Sequence, residues 1–241
     1  MSLRQPWLVL LWLFIGLLTH QGIAQAQTEL SYVEFTTAGA EEQAKLPMVV
    51  AIHGLGDSPE NFSRFLRRFP AQLRVIALRA PTPYHRGYSW FPIRASSGGK
   101  DPALIRGVQK ATVQILETVR RLLSQRPTVG RPLVLGFSQG GILSFSLAAS
   151  SPRLFKAVFP IAGMLPDQPL SAGVEKTKVY AFHGGSDRII PISGSERAVL
   201  TLKNRGYPTQ LYRYSKLGHH FSSRLISDLF EAIEGELPST K

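Results

Sequence analysis

Four short stretches of the chain are apolar at nearly every position: MVVAIH from Met48, RVIAL from Arg74, LVLGF from Leu133 and VYAFH from Val179. Each is shorter than an ordinary helix, and none alternates as a strand with one wet face would. Runs of this kind suit strands covered on both faces, the condition of a parallel sheet. Three further β-like runs, at 30–35, 157–161 and 210–214, bring the number to seven. The first of these alternates, as an edge strand does. Between the runs lie helical patterns. Leu104, Val108, Ala111, Ile115, Val119 and Leu122 recur at spacings of three and four, which predicts an amphipathic helix over 102–124. Pro102 suits its first turn and Asp101 its N-cap. The stretch 142–149 is apolar almost all round and predicts a buried helix, and 195–203 and 222–233 complete the set. Strands alternating with helices imply right-handed βαβ units: an α/β chain with a mostly parallel, doubly wound sheet flanked by helices.

The first residues do not fit this scheme. Arg4 precedes an unbroken apolar run, WLVLLWLFIGLL, over 7–18, and Ala24-Gln25-Ala26 supplies a small-x-small pattern. That is the anatomy of a secretory signal peptide, 1–26, cleaved near Ala26. The run is too short for a spanning helix, which needs roughly 20 apolar residues. The expectation is an exported protein, periplasmic or secreted, whose single catalytic domain occupies 27–241. The chain holds no cysteine, so neither a disulfide nor a thiolate nucleophile or metal site is available to it.

Lys and Arg number 28 against 16 Asp and Glu, a formal charge of +12. This allows weak association with anionic surfaces, although a generally basic surface needs no partner at all. The cations are scattered and not interleaved with aromatic residues, which argues against nucleic acid.

Gly136-Phe137-Ser138-Gln139-Gly140 matches G-x-S-x-G, with an apolar strand before it and Gly140-Gly141-Ile142-Leu143 opening a helix after it. The motif needs that context: a tight strand-to-helix turn exposes the serine Oγ, and the flanking glycines let strand and helix close on each other. A serine hydroxyl needs a base, and the base an acid to orient it. In α/β-hydrolases these follow in the order Ser, Asp or Glu, His. Asp187 is the sole carboxylate of the loop His183-Gly184-Gly185-Ser186-Asp187-Arg188, beyond the strand from Val179. After the last strand comes Leu217-Gly218-His219-His220, and either imidazole is placed to serve. His53 and His183, at strand ends, read instead as loop-orienting hydrogen-bonding groups. No histidine cluster has metal-ligand spacing, so no metal or other cofactor is expected. His53-Gly54-Leu55-Gly56-Asp57 turns sharply after the strand from Met48. Its Leu55 N–H, with the N–H of Gln139 after the serine, is expected to form an oxyanion hole. The long loop from Ala80 to Gly99 carries Tyr84, Tyr88, Trp90 and Phe91, a candidate wall of a binding site.

Four blocks in this order, HGLGD at 53–57, GFSQGG at 136–141, HGGSDRIIP at 183–191 and YSKLGH at 214–219, resemble the phospholipase/carboxylesterase and acyl-protein thioesterase family of α/β-hydrolases. Tyr88-Ser89-Trp90-Phe91 resembles that family's aromatic segment, and the likeness spans roughly 46–235. The resemblance implies Ser138 as nucleophile, Asp187 as acid, His219 as base, and Leu55 and Gln139 as oxyanion donors. Gly218 before His219 gives the freedom that a close approach demands. No large lid insertion is present, and a lidless site walled by Trp90 and Phe91 suits short- to medium-chain carboxylic esters. The expected reaction is hydrolysis through an acyl-enzyme on Ser138. Alternatives are a lysophospholipase or thioesterase, a feruloyl-type esterase acting on polymer esters, or an inactive binding module on the same scaffold.

Overall fold

The computed structural model describes residues 29–92, 98–171 and 175–238. The apolar run at 7–18 and the cleavage site expected near Ala26 lie outside them. In chain order the elements are β1 (Tyr32–Thr36), β2 (Met48–Ile52), α1 (Pro59–Phe62) running into a 3-10 helix (Ser63–Arg68), and β3 (Arg74–Leu78). A small hairpin follows, β4 (Thr82–Tyr84) with β5 (Gly87–Ser89), then a 3-10 turn (Gly98–Lys100) and α2 (Pro102–Gln125). The second half holds β6 (Leu133–Phe137), α3 (Gln139–Ser150), β7 (Ala157–Ile161), β8 (Lys178–Gly184), α4 (Ser193–Lys203), β9 (Thr209–Tyr214) and α5 (Ser223–Glu234).

Seven strands form one sheet in the order β1-β3-β2-β6-β7-β8-β9. All pairs are parallel except β1 with β3, so the one alternating run does lie antiparallel at the edge. The apolar runs are buried on both faces for a visible reason. In β2, Met48, Val50 and Ile52 point into a core shared with α2, α3 and α4, while Val49 and Ala51 point into a second core beneath α1, the 3-10 helix and α5. Each of the Met, Val and Ile side chains contributes about 1.5–3 kcal/mol by leaving water, and Ala51 less. Arg74 opens β3 and is itself buried. Its guanidinium meets the Glu34 carboxylate on β1 and donates to the Glu42 and Ala44 carbonyls, which offsets much of the cost of burying the charge.

The helices begin where their caps dictate. The Asp101 carboxylate accepts from Ala103 N–H at the head of α2, and the Ser222 hydroxyl from Leu225 N–H at the head of α5. Two parts of the chain depart from the sequence reading. The loop after Ala80 contains the β4–β5 hairpin, whose first strand is exposed throughout and so carries no apolar period to read. The α1 and 3-10 segment forms over 59–68, where two short turns leave no sustained periodicity.

Register places the site. Ile52 lies opposite Gly136, Phe137 opposite Ile161, and Gly184 opposite Tyr214. The C-terminal ends of these strands are therefore level, and the loops beyond them open on one edge, where doubly wound sheets form their sites.

Candidate active site

Ser138 sits between β6 and α3 with φ 56° and ψ −113°, a region that residues with a Cβ rarely enter. Strain of this kind costs on the order of 1–3 kcal/mol and persists only where the surroundings enforce it. Here they do. Ser138 N–H donates to Ile161 O at 2.9 Å, and its carbonyl accepts from Ile142 N–H at 2.9 Å. Two glycines allow the turn to close. A Cβ at Gly136 would lie 2.2 Å from Gly140 O, and one at Gly140 would lie 1.9 Å from Ile52 O.

The other two elements of the site arrive on neighbouring loops. Asp187 follows β8 and is buried, at 6% exposure. Its Oδ1 accepts from the N–H groups of Ile189 (2.9 Å) and Ile190 (3.0 Å), leaving Oδ2 for His219 Nδ1 at 2.7 Å. A carboxylate only accepts, so His219 carries its proton on Nδ1 and presents a bare Nε2. Ser138 Oγ lies 2.9 Å from that nitrogen and donates to it. Of the adjacent histidines, His219 is the one that reaches both partners; the His220 side chain is exposed. The structure thus brings Ser138, His219 and Asp187 into one hydrogen-bonded chain.

Two further imidazoles support these loops. His53 is fully buried; its Nδ1–H donates to Gly54 O at 2.7 Å and its Nε2 accepts from Ala80 N–H at 3.2 Å. His183 Nε2 donates to Ile190 O at 2.8 Å and lies 3.4 Å from Asp187 Oδ2. Burial pushes both imidazoles below the usual histidine range, against the raising effect of their carbonyl partners, and so keeps them neutral. His183 Nδ1 lies 2.7 Å from Ser195 Oγ, whose hydroxyl donates to Gly163 O at 2.8 Å.

Leu55 N–H and Gln139 N–H have no hydrogen-bond partner among the described residues. Gly54 lies against Ser138, since a Cβ added there would fall 3.3 Å from Ser138 Cβ. That brings Leu55, next along the chain, to the rim of the same turn. Gln139 opens α3, where N–H groups and the helix dipole favour negative charge.

Sequence reasoning missed the brace behind these two N–H groups. The Gln139 side chain is buried; its Oε1 accepts from Trp90 N–H at 3.0 Å and its Nε2 donates to Phe91 O at 2.7 Å. Trp90 Nε1–H in turn donates to His53 O at 3.0 Å, and Gly56 N–H to Tyr88 O at 2.9 Å. The aromatic segment therefore ties the Leu55 turn to the head of α3. Trp90 and Phe91 are 4% and 3% exposed. What remains of their surface faces a cavity of about 420 Å³ bordered also by Leu55, Tyr84, Lys110 and Gln114. The one available signal was a polar glutamine at the head of a helix apolar on all sides. Among the described residues no cluster of three His, Asp or Glu side chains is placed to hold a metal ion.

Comparison with known proteins places the chain among esterases and thioesterases by sequence. The sequence profile of the Phospholipase/Carboxylesterase family matches residues 34–236. Acyl-protein thioesterase 1 of Mycosarcoma maydis is 27% identical over 229 residues, covering 78% of this chain and 90% of that protein. Esterase YpfH of Escherichia coli (strain K12) is 24% identical over 197 residues, covering 79% of this chain and 83% of the other. Among solved structures, that of esterase PE8 superposes with a TM-score of 0.74 at 23% identity, over 87% of this chain and 100% of that one, a likeness of fold.

Proposed function

The chain belongs to the phospholipase/carboxylesterase family of α/β-hydrolases, and from that premise we propose that it hydrolyses carboxylic esters of short to medium chain length through an acyl-enzyme on Ser138. The observation that carries the reading is the unbroken chain from Ser138 Oγ through His219 to Asp187. His219 Nε2 takes the serine proton as Oγ attacks the ester carbonyl. The developing oxyanion is held by the N–H groups of Leu55 and Gln139, which have no other partner among the described residues. Asp187 stabilises the imidazolium without taking its proton. The tetrahedral adduct collapses, the C–O bond to the alcohol breaks, and His219 delivers its proton to the departing oxygen. Water, deprotonated by His219, then cleaves the acyl-enzyme and regenerates Ser138. A cavity of about 420 Å³ beside Leu55 has room for an acyl group of modest length, with Trp90 and Phe91 as its floor.

A fluorophosphonate probe tests this reading directly. Wild-type protein is expected to be labelled at Ser138, and Ser138→Ala to lose both label and ester turnover, the latter by a factor of about 10⁴ or more, with an unchanged melting temperature. Near-normal hydrolysis by Ser138→Ala sinks the mechanism.

A further inference from the structure

The hydrolase reading assigns the acyl side of the substrate but leaves the alcohol side without a site. Chemistry fixes where that side must lie. His219 returns its proton to the leaving oxygen, so that oxygen comes within hydrogen-bonding reach of His219 Nε2. Whatever it carries extends over the His219 side of Ser138, away from the cavity at Leu55.

Phenylalanines occupy that side. The Phe137 ring, one residue before Ser138, lies 4.8 Å from the His219 ring, and Phe221, two residues beyond His219, lies 5.0 Å from Phe137. The line continues outward through Phe65, 5.4 Å from Phe221, to Phe230, 6.1 Å from Phe65. These four rings come from β6, the loop before α5, the 3-10 helix and α5 itself. All four are half-buried, backed by Phe62 and Phe69, which are 5% and 2% exposed. Phe62 packs against Phe65 at 6.0 Å and Phe69 against Phe230 at 4.9 Å, which holds the outer rings in place while each keeps part of its surface open to solvent. Edge and offset contacts at these separations are favourable in their own right, so the surface exists before any ligand arrives. Its inner end, Phe137, packs on the His219 ring and precedes Ser138 in the chain, and its outer end, Phe230, lies on α5.

Resting on the hydrolase reading above, we propose that Phe137, Phe221, Phe65 and Phe230 form a track for the leaving group, and that the substrates are esters of extended apolar alcohols. A chain laid on the track leaves water on one side only. Each methylene then gains about half of the roughly 0.8 kcal/mol of full burial, or about a twofold rise in kcat/KM.

Two ester series separate the halves of the site. Ethyl, butyl, hexyl and octyl acetate share one acyl-enzyme and differ in leaving group alone; 4-nitrophenyl acetate, butyrate and hexanoate share one leaving group. In wild type, kcat/KM is expected to rise about twofold per methylene along the alkyl acetates. Phe221→Ala flattens that slope and leaves the nitrophenyl slope as it was, apart from one common factor. Phe221→Leu, which keeps an apolar group and guards against a folding defect, retains an intermediate slope. Deacylation of the acetyl-enzyme, measured by partitioning to hydroxylamine, is the same in all three proteins. The track is overturned by a labelled, active wild type whose alkyl acetate series is flat, or by a Phe221→Ala that changes the nitrophenyl slope instead. Absence of fluorophosphonate labelling in wild type overturns the hydrolase reading beneath it.

Discussion

His219 and His220 are chain neighbours, yet the backbone between them separates their surroundings. His219 points inward along the edge of the sheet to Asp187 and Ser138. His220 N–H donates to Gly218 O at 3.0 Å, closing a tight turn that throws the second side chain into solvent. A general base is useful only within hydrogen-bonding reach of the proton it removes. His219→Ala is therefore expected to lower kcat by about 10⁴ or more, because the members of such a chain act as a unit. His220→Ala is expected to keep at least about half of wild-type turnover, as surface substitutions away from special features usually perturb little. Steady-state kinetics on 4-nitrophenyl butyrate checks both, and the reverse pattern would move the base by one residue.

At the level of elements, the site depends on how the head of α3 and the turn after β2 are held together. They come from distant parts of the sequence, and the segment 88–91 bridges them through Gln139 and Trp90. Trp90→Phe keeps the aromatic face and deletes the indole N–H, leaving His53 O without that donor. A buried carbonyl so deprived costs about 1–3 kcal/mol, and the Leu55 turn loses its fixed position. The expected outcome is a fall in kcat of about tenfold that is equal for acetate and hexanoate esters, with KM little changed. A loss confined to the longer ester would mean that Trp90 acts as a contact for the acyl chain alone. This brace marks the limit of what the sequence makes legible. The apolar runs of β2, β3, β6 and β8 are local signals, and so are the glycines around Ser138 and the Asp101 cap; all were readable. Gln139 was readable only for its backbone N–H, because its side-chain partners lie 48 and 49 residues away. The phenylalanine track was invisible for the same reason, its members being scattered from Phe65 to Phe230. The β4–β5 hairpin was missed because a strand of three exposed residues has no hydrophobic period.

Across the whole molecule the two edges of the sheet are held differently. The C-terminal edge carries the strained turn of Ser138, while the opposite edge is fastened by charge. Glu236, beyond α5, is buried at 3% exposure, accepts from Tyr180 Oη at 2.6 Å and Lys178 Nζ at 2.9 Å, and lies 3.6 Å from Lys156 Nζ. The lysines stand at the N-terminal ends of β7 and β8, so this one carboxylate ties the end of the chain to both strands. Burial alone would raise its pKa. The Tyr180 hydroxyl and the two lysines outweigh it and hold the carboxyl below the ordinary glutamate value of 4.5. A carboxylate with a depressed folded-state pKa contributes stability that is fully present above its unfolded value and is lost as pH falls through the folded one. The excess of 28 basic over 16 acidic residues adds to this loss, since protonating carboxylates increases self-repulsion in the compact state. Glu236→Gln keeps the shape and removes the charge. At about pH 7 it should be less stable than wild type by about 1.5–3 kcal/mol, the usual worth of hydrogen bonds to a charged group. As pH falls below 4.5 the wild-type advantage should shrink, because the wild-type carboxyl takes up the proton that the variant never needed. Urea unfolding at steps from about pH 7 to about pH 3 measures the gap. A difference that stays constant over that range would show that the charge on Glu236 is not what fastens this edge.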